Sequence, residues 1–209
     1  MSAVATPVAM RRAAAPEDSA RADFYALLAR LCADAPDRAL LAALSAAAPL
    51  PADGDPALGE AWRNLVDASS VMDPDAAREE YEALFCGMGK AAVSIYSGFY
   101  SGAPSIDHPR VRLQADLASF GLARRGEITE PEDHFAGLFE VMRVLAAGGA
   151  GREPAALADQ KRFFHSHLDA SARKFFAALG TSPKANYYRN VAALGVAVVA
   201  LESTSFQLD

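Results

Sequence analysis

Asp73-Pro74-Asp75-Ala76-Ala77-Arg78-Glu79-Glu80-Tyr81-Glu82-Ala83-Leu84-Phe85-Cys86-Gly87 is the stretch that decides the fold class. Asp before Pro marks a helix start: the carboxylate accepts orphan N–H groups of the first turn, and proline's φ is already helical. From there Ala77, Tyr81, Leu84 and Phe85 fall on one stripe at helical spacing, and Gly87 supplies a C-cap. The same grammar repeats upstream. Asp55-Pro56 opens a helix carrying Leu58, Trp62, Leu65 and Val66, and Asp37 caps one carrying Leu40, Leu41 and Leu44. Phe24, Leu27, Leu28 and Leu31 recur at i, i+3, i+4 and i+7, the apolar face of another.

Downstream, helices are expected over Val111 to Phe120, ending at Gly121; from about Pro131 to Ala147; over Pro154 to Leu179, ending at Gly180; and from Pro183 to about Leu201. The run Val196 to Leu201 is Ala-rich and follows Val191 and Leu194, so it reads as buried helix rather than strand. No segment alternates apolar with polar over several residues, β-branched residues are few, and no internal repeat is found. The expectation is all-α. Between Gly87 and His108 the helical pattern breaks into a long loop rich in Gly and Ser, with Pro104 and the aromatics Tyr96, Phe99 and Tyr100. Long structured loops carry function more often than the elements they connect.

The chain has 209 residues, which at roughly 150 residues per domain reads as one domain. A chain of this length buries roughly 70% of its unfolded surface and needs no disulfide or metal to fold. Apolar residues make up 52% and charged residues 22%, the balance of a soluble globular protein. A net charge of −6 and a pI near 5.2 argue against a nucleic-acid partner, which needs a clustered basic face. Cys32 and Cys86 lie far apart with no CxxC spacing and read as reduced cytosolic thiols.

Residues 1–18 are Ala-rich with Pro7 and Pro16 and read as a flexible N-terminal segment; 19–209 read as one helical domain. Arg11-Arg12 imitates an export signal, but Glu17, Asp18, Arg21 and Asp23 follow where an apolar stretch would be needed. The longest uncharged run, Val191 to Leu201, is short of the roughly 18 apolar residues of a membrane span. A cytoplasmic protein without stable membrane insertion is expected.

Chemical motifs are mostly excluded. Gly87-Met88-Gly89-Lys90 imitates a phosphate loop, yet Leu84 and Ala91 stand where that loop needs Gly and Ser or Thr. His165 and His167, two apart, point about 200° apart on a regular helix and cannot chelate one ion together. His167 shares the stripe of Phe164, Leu168, Ser171 and Phe175, so it reads as a core-edge histidine bonded to a neighbouring helix. Ser94, Ser97, Ser101 and Cys86 lack a nucleophile elbow, and Glu79 and Glu80 face different directions. No catalytic centre, metal site or cofactor is expected.

Pro131-Glu132-Asp133-His134 stands at a helix start, where Thr129 and Glu132 read as a capping box. On that reading Asp133 complements the helix dipole and His134 is surface.

Together these stretches resemble the TorD/DmsD family of chaperones for molybdenum-containing oxidoreductases. Glu80 to Gly87 resembles the family's aromatic-x-x-Leu-Phe-x-Gly segment, and Ser94-Ile95-Tyr96 its Ser-Val-aromatic element. Pro131 to Phe135, leading into Leu138 and Met142, is similar to its Pro-x-Asp-His helix start, and Phe163 to Leu168 to its Phe…His-Leu helix. Order and spacing cover roughly residues 20 to 180. The chain departs from the pattern at Ser171, where the family has Trp, and at Gly137, where it often has Glu.

The resemblance implies a single-domain bundle of about ten helices with a long aromatic-bearing central loop, and no enzymatic activity. It implies a partner as well: a molybdoenzyme catalytic subunit, whose twin-arginine signal peptide and apo-enzyme body are held until molybdopterin is loaded. Dimethyl sulfoxide, trimethylamine oxide, formate and nitrate-type enzymes are all possible clients. By motif position, Tyr81, Leu84, Phe85, Tyr96, Asp133 and His134 would form or flank the peptide groove. Apolar anchors at about 1.5–3 kcal/mol each outweigh exposed charge pairs at about 0–1 kcal/mol, so Asp133 would set orientation more than affinity. From periodicity alone, Leu84 and Phe85 read equally well as ordinary core. The residues leave a second class open: a helical ligand-binding or regulatory domain with an internal apolar pocket. A DNA-reading version would need a basic helix, which Arg21 and Arg30, balanced by Asp23, do not supply.

Overall fold

The computed structural model describes residues 15–86, 91–102, 109–123, 131–149 and 151–208. The expected cap Gly87, the Gly-Lys pair 89–90 and Thr129 of the expected capping box lie outside them. The described residues are all-α, with no strand and two isolated bridges, Tyr96 with His134 and Gly149 with Arg152.

Helix α1 runs Pro16–Ala33, α2 Arg38–Ser45, α3 Pro56–Val71 and α4 Pro74–Tyr81. Helix α4 continues through a π turn, Glu82–Cys86, and a short 3-10 helix follows at Ser97–Tyr100. Then come α5 Pro109–Ser119, α6 Phe135–Ala147, α7 Leu157–Phe163, α8 Asp169–Thr181 and α9 Tyr187–Leu208. A π turn, Phe164–Leu168, joins α7 to α8 in one rod, so the described residues hold about eight helical rods rather than the ten expected. Helix α1 begins at Pro16, inside the segment expected to be flexible.

Three starts follow the Asp signals. The Asp37 carboxylate accepts from Leu40 N at 2.8 Å, Asp55 from Leu58 N at 2.8 Å, and Asp73 from Asp75 N at 2.9 Å and Ala76 N at 3.2 Å. Two starts differ. Helix α6 opens at Phe135, four residues after Pro131, and its cap is His134, whose Nδ1 accepts from Ala136 N at 3.2 Å. Helix α9 opens at Tyr187, and its cap comes from another helix. Glu80 of α4 accepts from Asn186 N at 2.8 Å, Tyr187 N at 3.0 Å and Tyr188 N at 2.8 Å. A helix start leaves four N–H groups without partners and carries partial positive charge, so a carboxylate suits it from any distance in sequence.

Helix α9 is the centre of the bundle, packed against α1, α3, α4 and α8, while α1 also packs along α6. Its 22 residues and mean hydropathy of 1.6 would suffice for a membrane span, but Val191, Leu194, Val198, Val199 and Phe206 are buried among the other helices. The core's densest part is aromatic. Phe135 stacks on Phe175 at 4.4 Å and on Phe139 at 6.1 Å, and Phe139 stacks on Phe176 at 5.9 Å. Gly195 lets the Phe176 ring lie against the α9 backbone, where any Cβ would collide with it. Arg21 ties α1 to α7 and α9, donating to Gln160 at 3.1 Å and to the buried Glu202 at 2.9 Å.

Candidate functional site

The six residues singled out by motif position separate into two trios. Tyr81, Leu84 and Phe85 belong to the core side of α4 and its π turn. Leu84 is fully buried and Phe85 nearly so, with the Phe85 ring against Tyr81, Phe175 and Tyr188. Half-buried Tyr81 donates its hydroxyl to Cys32 O at 3.0 Å, pinning α4 to α1. Leu84 and Phe85 are thus turned into the core, with Tyr81 at its edge. Of the two readings left open by periodicity, core is the one observed for Leu84 and Phe85.

Tyr96, Asp133 and His134 come together. Residues 95–97 run antiparallel to 133–135: Ser97 N donates to Asp133 O at 2.8 Å, and Phe135 N to Ile95 O at 3.0 Å. The Tyr96 and His134 rings meet edge to face at 5.3 Å. His134 is not a surface residue, as the capping-box reading had it, but is buried at 8% exposure beneath Tyr96. Tyr96 is 36% exposed, and Phe99, two residues past the ladder, is 71% exposed. Because Ile95, Ser97 and Asp133 point inward, the aromatics between and after them are turned outward.

Behind this ladder lies a partly open cavity of about 180 Å³, lined among others by Ser97, Tyr100, Asp133, His167, Ser171 and Lys174. The π turn of residues 164–168 forms one wall. Both His165 and His167 border the cavity from this turn. Each histidine has its own carboxylate: His167 Nε2 lies 2.6 Å from Asp116 of α5, the neighbouring-helix bond expected of it, and His165 lies 3.4 Å from Asp169. No group of three His, Cys, Asp or Glu side chains able to hold a metal ion occurs among the described residues. Burial pushes the Tyr100 hydroxyl up to about 12, so it stays a neutral donor, bonded to Ser94 O at 2.8 Å. Lys174 donates to Tyr100 O at 2.9 Å and holds the end of the 3-10 helix.

Asp133 is the unusual member. It is 95% buried, at 5% exposure, yet its Oδ1 accepts no hydrogen bond. Its Oδ2 faces Gly98 N at 3.4 Å, and a Cβ at Gly98 would stand only 2.8 Å from that oxygen. Arg110 Nε, on the first turn of α5, lies 3.2 Å from Oδ1 with its N–H not directed at it. Sequence reasoning missed Gly98, Arg110 and Lys174. None carries a local signal, because each acts on a residue more than twenty positions away.

A family model for the nitrate reductase delta subunit matches residues 52–177, more than half of the chain and both trios. None of the curated proteins matches. With the all-α bundle, the Asp133-His134 helix start and the Leu84-Phe85 core segment in place, the chain belongs to the nitrate reductase delta subunit family, the NarJ/TorD chaperones of molybdoenzyme maturation, which are cytoplasmic and non-catalytic.

Proposed function

We propose that this chaperone captures the twin-arginine signal peptide of a molybdoenzyme catalytic subunit on the surface around Tyr96, Phe99, Asp133 and His134. It then holds the apo-enzyme until molybdopterin is in place and export can begin. The supporting observation is the buried Asp133 carboxylate, whose Oδ1 lacks a hydrogen-bond donor beside exposed aromatic rings. A buried carboxylate oxygen without a donor is costly, and a guanidinium is the group that best satisfies it. Tyr96 and Phe99 add apolar area for the stretch that follows the arginines in such a leader, in the mode of a helix laid on a hydrophobic surface. Tyr81, Leu84 and Phe85 contribute from beneath, as the core that holds residues 91–102 through Val93 N to Leu84 O at 3.0 Å.

A synthetic leader with its arginine pair, titrated calorimetrically, tests this reading. Asp133→Ala removes a charge-assisted contact worth about 1.5–3 kcal/mol, about ten- to a hundredfold in affinity. A folded Asp133→Ala protein that binds the leader as tightly as the wild type would remove Asp133 from the site.

A further inference from the structure

We propose that Arg110 is a resident stand-in for the client's arginine, occupying the Asp133 subsite until a leader displaces it. The inference rests on the signal-peptide reading and adds to it a competing group within the chain.

Three observations carry it. The Asp133 side chain is 7% exposed and that of Arg110 is 47% exposed, so the arginine covers the carboxylate from the solvent side. The contact is poor for its type. One nitrogen, Nε, approaches Oδ1 at 3.2 Å without aiming its N–H, and that oxygen has no hydrogen-bond donor. A well-made arginine–carboxylate pair is a two-pronged fork. Arg110 also stands in the first turn of α5, directly after Pro109, at the positive end of a helix dipole, where a cation is disfavoured. Among the described residues its ion-pair partner is Asp133, and so weak a contact is easily released. Gly98 meanwhile occupies the other carboxylate oxygen, which leaves Oδ1 as the one position a guanidinium can take. A leader arginine entering the cavity would make the aimed contact that Arg110 does not. Arg110 then swings into water, which its half-exposed stem already reaches.

The test compares leader binding by wild type, Arg110→Gln, Asp133→Asn, the double variant Arg110→Gln/Asp133→Asn, and Arg112→Gln as a control for net charge on the same helix. Thermal melts confirm folding of each. The probe is a synthetic leader carrying two arginines before its apolar stretch. Arg110→Gln is expected to bind it about three- to tenfold more tightly, because the competitor is gone. The gain is expected to vanish on the Asp133→Asn background, and Arg112→Gln is expected to show none. Wild-type binding with no gain in Arg110→Gln overturns the stand-in and leaves the signal-peptide reading intact. A gain that persists without Asp133, or that Arg112→Gln shares, also overturns it, since net charge would then be the cause. Binding by none of the five proteins overturns both.

Discussion

Phe85 lies ring against ring with Tyr81, Phe175 and Tyr188, and Leu84 beside it is fully buried. Asp133 is buried to the same degree, but one oxygen of its carboxylate has no donor and its nearest cation comes from a half-exposed arginine. Both regions lie in stretches that carry the family resemblance, yet only one is at rest. Phe85 is already packed among three rings and has no polar group for a partner to satisfy. At Asp133 a buried charge is compensated badly, which is a cost the fold retains and an incoming group can relieve. The difference shows that burial alone does not separate scaffold from binding surface; the satisfaction of polar atoms does.

Substitutions at three positions probe that contrast. Phe175→Ala should do the most damage, since Phe175 touches Phe85, Tyr100, Phe135 and Phe176. A loss of about 3–5 kcal/mol in denaturant unfolding is expected for a buried ring of this kind. A loss below about 1 kcal/mol would mean the aromatic column is not the scaffold described. Glu80→Ala comes next. Removing the acceptor for three N–H groups at the start of α9 should cost about 1–3 kcal/mol, with Glu80→Gln in between, read from the same unfolding curves. Phe99→Ala should be nearly silent in stability, within about 0.5 kcal/mol, because the ring is exposed. Leader affinity should nevertheless fall several-fold in calorimetry. An unchanged affinity would restrict the surface to Tyr96 and the Asp133 cavity.

Fold class was legible because helix starts are written locally. Asp37, Asp55 and Asp73 cap the helices that follow them, within three residues of the bonds they make. The start of α6 falls at Phe135 rather than near Pro131, because residues 131–134 form a turn and the antiparallel contact with residues 95–97 keeps His134 extended. The π turns were invisible: Phe163 to Leu168 has ordinary helical composition, and only the packing of its neighbours reveals the wider turn. In the candidate site, the cluster of Tyr96, Asp133 and His134 could be anticipated from motif order. Gly98 and Arg110 could not, since an unaimed ion pair and a missing Cβ mean something only once the chain has folded. Glu80, set aside because it faces away from Glu79, proved to be the cap of a helix more than a hundred residues later.

That last connection has a consequence for how the molecule assembles. The central helix α9 has its cap on α4 and its apolar face against α1, α3 and α8. Its partners α1 and α3 emerge more than a hundred residues before it, and although α1 also packs along α6 and α3 along α2, the surfaces they turn toward α9 are covered only when it arrives. Closing so long a loop is entropically expensive and slow, and an incomplete bundle exposes greasy stripes in the meantime. A protein whose family guards unfinished enzymes is thus itself unfinished until α9 has joined the helices made before it.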